Sequence, residues 1–165
     1  MPVHRDTPSA SRDPFATGEM GVPAILRTAF GGRFVGVMEL SRDDRGFSLI
    51  AAPTRCIRRG DVHELIVTDE ATAAPGATVQ RCRFLGFVAF ESAGVLVRGD
   101  AIAVDGREVG TVAGFDECHF PNHLNIVLQA GHARTGVQLG LRPGALLQVR
   151  PRSGNHLADI PADTD

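Results

Sequence analysis

Along residues 31–150, short β-branched or aromatic runs alternate with turns of Gly, Pro and Asp. That pattern predicts the many short strands of a sandwich or barrel, and no stretch carries the apolar spacing of a long amphipathic helix. The fold class expected is all-β, a small single-domain β-barrel. Residues 33–40 form a strand with Phe34, Met38 and Leu40 on one face, and residues 47–51 follow the polar turn 41–46 as the second arm of a hairpin. Residues 62–68 come next, then a loop rich in Ala, Pro and Gly, then residues 82–91. This last strand is apolar on both sides, with Phe84, Val88 and Phe90 on one and Leu85, Phe87 and Ala89 on the other, so it belongs in the core.

Residues 101–104 and 108–113 flank Asp105-Gly106, a two-residue hairpin turn whose positions both accept positive φ. Residues 124–130 and 145–149 complete the set. A Gly turn precedes a strand three times, at Gly60, Gly99 and Gly144, which is repeated turn chemistry.

A length of 165 residues leaves room for little more than one domain. Residues 26–150 hold the barrel; residues 1–25 and 151–165, polar and without periodicity, are expected to be a flexible N-terminal segment and a flexible acidic tail. With 43% apolar and 22% charged residues the chain has material for a core. Acids and Arg balance along the barrel, and Trp and Tyr are absent, so nucleic-acid binding lacks both its charge and its stacking surface. Every basic residue among the 17 is Arg, which excludes Schiff-base, phosphate-loop and general-base lysines. The three cysteines, Cys56, Cys82 and Cys118, show no paired spacing, which points to a reducing compartment. No apolar run is long enough for a membrane span or a signal peptide, so the expectation is a cytoplasmic protein that binds no membrane.

Candidate chemistry is concentrated between Phe115 and Asn125, where Asp116, Glu117, Cys118, His119, Asn122, His123 and Asn125 lie close together. His119 and His123 stand at i,i+4, but Pro121 between them excludes the helical zinc motif. A metal site would need a third ligand from elsewhere, with His63, Glu64 and Cys82 as candidates. In a purely structural alternative, Asp116 and Asn122 satisfy loop backbone and His123 packs at the strand start. Cys118 is a candidate nucleophile with His119 or His123 as base and an acid nearby, although neighbours on an extended chain point apart, so Cys118 and His119 do not simply pair. The aromatic concentration from Phe84 to Phe120 is either core or the wall of an apolar pocket.

The stretches 82–88, 94–100 and 109–114 resemble the glucitol/sorbitol-specific IIA component of the phosphotransferase system over about half the chain. The resemblance implies a β-barrel. It does not imply phosphate relay, because Gly86-Phe87-Val88 stands where that family carries the histidines of its phosphorylation motif. Residues 114–127 are similar to a motif in small actinobacterial proteins of unknown function, and in size and composition the chain resembles the compact cyclases that perform [4+2] or [6+4] cycloadditions on polyketide polyenes.

The function expected first is therefore a cofactor-independent cyclase of secondary metabolism acting on a small apolar organic substrate. Phe84, Phe87, Val88, Phe90 and Met38 would wall the pocket, with Cys118 and Asn122 at its mouth, and His119, His123 or Asn125 would donate a hydrogen bond to a polarised carbonyl. A non-catalytic ligand-binding or regulatory barrel is the second expectation, and a metal-dependent enzyme using His119 and His123 the third. An even barrel with exposed strand edges would also have a route to a homodimer.

Overall fold

The computed structural model describes residues 26–152. The expected N-terminal segment 1–25, and residues 153–165 of the expected tail 151–165, lie outside the described residues.

Regular structure among the described residues is entirely β: β1 (Phe30–Arg42), β2 (Phe47–Ser48), β3 (Thr54–Ile57), β4 (Val62–Thr68), β5 (Thr78–Val79), β6 (Cys82–Phe90), β7 (Gly94–Val97), β8 (Ala101–Val104), β9 (Arg107–Asp116), β10 (Asn125–Gln129) and β11 (Leu146–Arg150). Seven of them close a barrel in the order β1-β11-β8-β9-β10-β4-β6. Every neighbouring pair is antiparallel except β4 and β10, which run parallel. The all-β barrel is as expected, but its strand number is odd and the closed ring leaves no free edge, so the expected edge-to-edge route to a homodimer is missing from it.

Side-chain alternation sorts the apolar residues into two cores. Phe34, Leu65, Val88, Phe90, Phe115, Ile126, Leu128 and Leu147 fill the barrel interior, joined by Ile57 and Leu96 from the β3–β7 pair. Residues of opposite parity, Ile66, Phe84, Ala113 and Val127, point outward and are covered by Phe47, Leu49 and Val79 around the β2–β5 pair. Each such side chain stabilises the fold by about 1.5–3 kcal/mol when removed from water. The expected hairpin between the first two strands does not form, because β2 pairs with β5 and serves as this outer cover.

Two expected face assignments also change, both through β-bulges. Pairing shifts within β1 between Phe34 and Gly36 and again between Val37 and Leu40. Phe34 therefore points inward, while Met38 and Leu40 pack on the outer core. On β6, Leu65 pairs with Gly86 and Ile66 with Phe84, leaving Leu85 as the extra residue. Phe84 accordingly faces outward, and Leu85, Val88 and Phe90 face inward.

The turns follow their chemistry. Asp105 and Gly106 have φ of 48° and 81° between β8 and β9, and Gly60, Gly99 and Gly144 adopt φ of 92°, 91° and 93° ahead of β4, β8 and β11. The approach to β1 is fastened by Arg27, whose Nη1 and Nη2 donate to Asp100 at 2.6 and 2.7 Å, with Val97 N–H donating to the same carboxylate. Both side chains are almost wholly buried.

Gly86 has φ of 141°, and a Cβ there would lie 2.0 Å from the Gly36 carbonyl oxygen, whereas one at Gly144 would meet nothing within 4 Å. Gly144→Ala is expected to cost only the left-handed backbone penalty of about 1–2 kcal/mol. Gly86→Ala adds a clash with backbone and should cost more than about 3 kcal/mol or abolish the cooperative transition; urea unfolding of the two variants checks the order.

Candidate polar site on the outer face of the barrel

Strand register carries a row of polar residues across the barrel wall. Asp116 on β9 is level with Asn125 on β10, Asn125 with Glu64 on β4, and Glu64 with Phe87 on β6. These positions share the outward parity of Gly114, Val127 and Ile66, so the row continues the outer core. The connection from β9 to β10 turns back over it through residues 118–122, which are turns and not helix. Folding back brings the His119 and His123 rings to 4.9 Å between centroids.

Glu64, His119 and His123 each offer a ligand atom within 4.8 Å of the other two. Glu64 is the third member that the sequence left open; the other two candidates are occupied elsewhere. His63 has the inward parity of Leu65, its ring lies 6.1 Å from that of Phe90, and its Nδ1 accepts the Leu124 N–H at 3.0 Å. Burial lowers its pKa, opposed by Asp61. Cys82 is buried in the outer core, and that burial pushes its thiol up to about 12.

Asparagine amides orient both imidazoles. Asn122 Oδ1 lies 2.7 Å from His123 Nδ1, so that nitrogen donates its proton and Nε2 faces Glu64 Oε2 at 3.2 Å. Asn125 Nδ2 donates to Asp116 Oδ1 at 3.0 Å, and the same amide lies against His119 Nδ1, with Oδ1 at 3.4 Å and Nδ2 at 3.3 Å. Phe87 packs edge-on against His123 with ring centroids 5.1 Å apart. Burial raises the Glu64 carboxyl, and the hydrogen bond and charge of His123 only partly offset this.

Asp116 is the anchor beneath this arrangement. It is buried and accepts the N–H groups of Cys118 and Ser48, each at 3.0 Å, besides the Asn125 amide. Burial alone would raise its pKa; the donors from Cys118, Asn125 and Ser48 outweigh burial and hold the carboxyl below 3.8. Cys118 Sγ receives the Asn125 amide at 3.4 Å and the Arg45 guanidinium at 3.5 Å. Burial and the neighbouring Asp116 raise this thiol, which is the opposite of what an activated nucleophile requires.

The structure thus brings His119, Asn122, His123, Asn125 and Cys118 together with Phe87. It separates the other expected pocket residues. Val88 and Phe90 are part of the filled interior, while Phe84 and Met38 belong to the outer core. A hollow of about 740 Å³ adjoins the 118–122 turn, with Arg55, Asp61, His63 and Phe120 among its walls, and none of the four apolar wall residues on β6 lines it. Arg45 was invisible as a site residue because it sits in an ordinary polar turn before Phe47.

Residues 24–150 match a family of unknown function, DUF6917. The chain belongs to this family. The DUF6917 region takes in the whole barrel, its outer cover and every polar residue described above. Neither the comparison with curated proteins nor that with solved structures returns a match.

A carboxyl whose native pKa is depressed adds stability above its unfolded value, and that stability is lost as pH falls through the native one. Asp116→Asn should therefore destabilise the protein at pH 7, by about 1–3 kcal/mol for a buried network left partly unsatisfied. The gap to the wild type should shrink as pH falls below 3.8; chemical unfolding at pH 7 and pH 3 measures both.

Proposed function

We propose that the protein is a metal-dependent enzyme whose centre is Glu64, His119 and His123. The observation that carries this is the lone-pair bookkeeping at His123. Its Nδ1 proton is committed to Asn122, so Nε2 and the Glu64 carboxylate meet at 3.2 Å with a proton or a cation needed between them. His119 completes a donor set whose atoms lie within 4.8 Å of one another, and bonds of about 2.0–2.1 Å to a tetrahedral ion would draw them to about 3.3 Å. Two imidazoles and one carboxylate suit Zn²⁺ or Fe²⁺ and leave coordination positions for water or substrate, as catalytic centres do. Asn122 would serve as the outer hydrogen bond that fixes the tautomer of His123, and Asn125 as the group that aims His119.

The cofactor-free cyclase is the second reading, supported by the ring of Phe87 beside His123, an apolar surface next to a hydrogen-bond donor. The divided apolar wall weighs against a substrate inside the barrel. A phosphate carrier is disfavoured by Gly86, where a side chain has no room beside Gly36.

Untagged protein should carry, or take up on titration, one Zn²⁺ or Co²⁺ per chain. A bound ion at 100 times its dissociation constant raises stability by about 2.7 kcal/mol, visible as a shift in Tm. Glu64→Gln and His119→Ala should weaken binding by more than about 100-fold and Asn125→Leu by about 10–100-fold. Absence of any metal-dependent shift would remove the centre, and turnover persisting after chelation would favour the cyclase.

A further inference from the structure

Arg45 stands beside this site with its charge unspent. It leaves the turn between β1 and β2, where its backbone N–H is held by the Gln80 carbonyl at 3.0 Å. Its guanidinium lies over the Phe47 ring, with Cζ 4.0 Å from the centroid, and Nη2 reaches the Cys118 sulfur at 3.5 Å. Among the described residues it forms no ion pair, and of the described arginines that form none it is the one that lies over an aromatic ring. The acids nearby are otherwise engaged. Asp116 is engaged by three N–H donors, Glu117 pairs with Arg55, Asp43 with Arg83, and Glu64 with His123. Arg45 is nevertheless close enough for its charge to pull on the Glu64 carboxyl.

A half-buried guanidinium held over an aromatic ring has lost much of its side-chain freedom, and its fork matches the two oxygens of a carboxylate. We infer that Arg45 is the recognition element for a carboxylate on the substrate, whose reacting portion extends to Glu64, His119 and His123. The inference rests on the metal centre proposed above and narrows its substrate to small organic acids. Phe47 supports the guanidinium from below, and the contacts Arg45–Cys118–Asn125–His119 link it to the ligand set by steps of 3.5, 3.4 and 3.3 Å.

Cobalt-loaded protein supplies the test, because its visible spectrum reports both metal binding and the arrival of a new ligand. Oxalate, malonate and succinate would be titrated as probes of increasing reach, with acetamide and inorganic phosphate as comparisons, against wild type, Arg45→Gln and Arg45→Lys. Cobalt should bind all three proteins alike. At least one dicarboxylate should bind the wild type ten times or more tighter than Arg45→Gln, with Arg45→Lys between them and acetamide without effect. Equal dicarboxylate affinity in wild type and Arg45→Gln overturns the assignment, as does failure of every dicarboxylate to bind cobalt-loaded wild type. Phosphate binding tighter than any dicarboxylate and lost in Arg45→Gln overturns the carboxylate class. Failure of cobalt itself to bind is a separate result that overturns the centre and this inference with it.

Discussion

The parallel ladder between β4 and β10 sets Glu64 level with Asn125, and the position of every other polar group at the site follows from that register. A slip of one residue would turn Glu64 into the barrel and bring an apolar neighbour out, since strand side chains alternate between faces. Packing on both faces forbids the slip. Leu65, Val67, Ile126 and Leu128 are fitted into the interior, while Ile66 and Val127 are fitted beneath Phe47 and Val79. A carboxyl only 4% exposed is thus held in place by apolar contacts that never touch it.

Because the barrel is filled by its own side chains, chemistry has to be built on its surface. The outer core solves the difficulty that such a surface poses. The β2–β5 cover gives the polar row a dry flank, supplies the Ser48 N–H to Asp116, and carries Arg45 on Phe47. Opposite charges are therefore fixed on separate layers, with Asp116 and Glu64 on the barrel wall and Arg45 on the cover. Asp116 remains ionised because backbone N–H groups turn towards it, a solution that needs no cation.

Much of this was legible from residue patterns. Strands β4 and β8 fall where alternation places them, and the Asp105-Gly106 turn and the three Gly turns behave as their chemistry requires. The short strands β2 and β5 are defined by pairing with each other rather than by local propensity, so β5 was missed and β2 was given the wrong partner; β3 and β7 were missed for the same reason. Bulges in β1 and β6 are tertiary features, and each one reverses the parity on which Met38 and Phe84 were assigned. At the site, the cluster from Cys118 to Asn125 was visible because it is contiguous. Glu64 could be named only among three candidates, and Arg45 not at all, since both reach the histidines through folding alone.

The Arg27–Asp100 pair has a consequence for where the folding unit begins. The barrel's first strand starts at Phe30, yet Asp100 is fully buried at the turn before β8, and its cation comes from three residues upstream of that strand. A chain cut at the start of β1 would keep every barrel strand while leaving the Asp100 carboxyl sealed in protein with only the Val97 N–H and no cationic partner. The folding unit thus takes in more than its sheet: a residue with no β-structure of its own supplies the charge that partners a buried carboxyl.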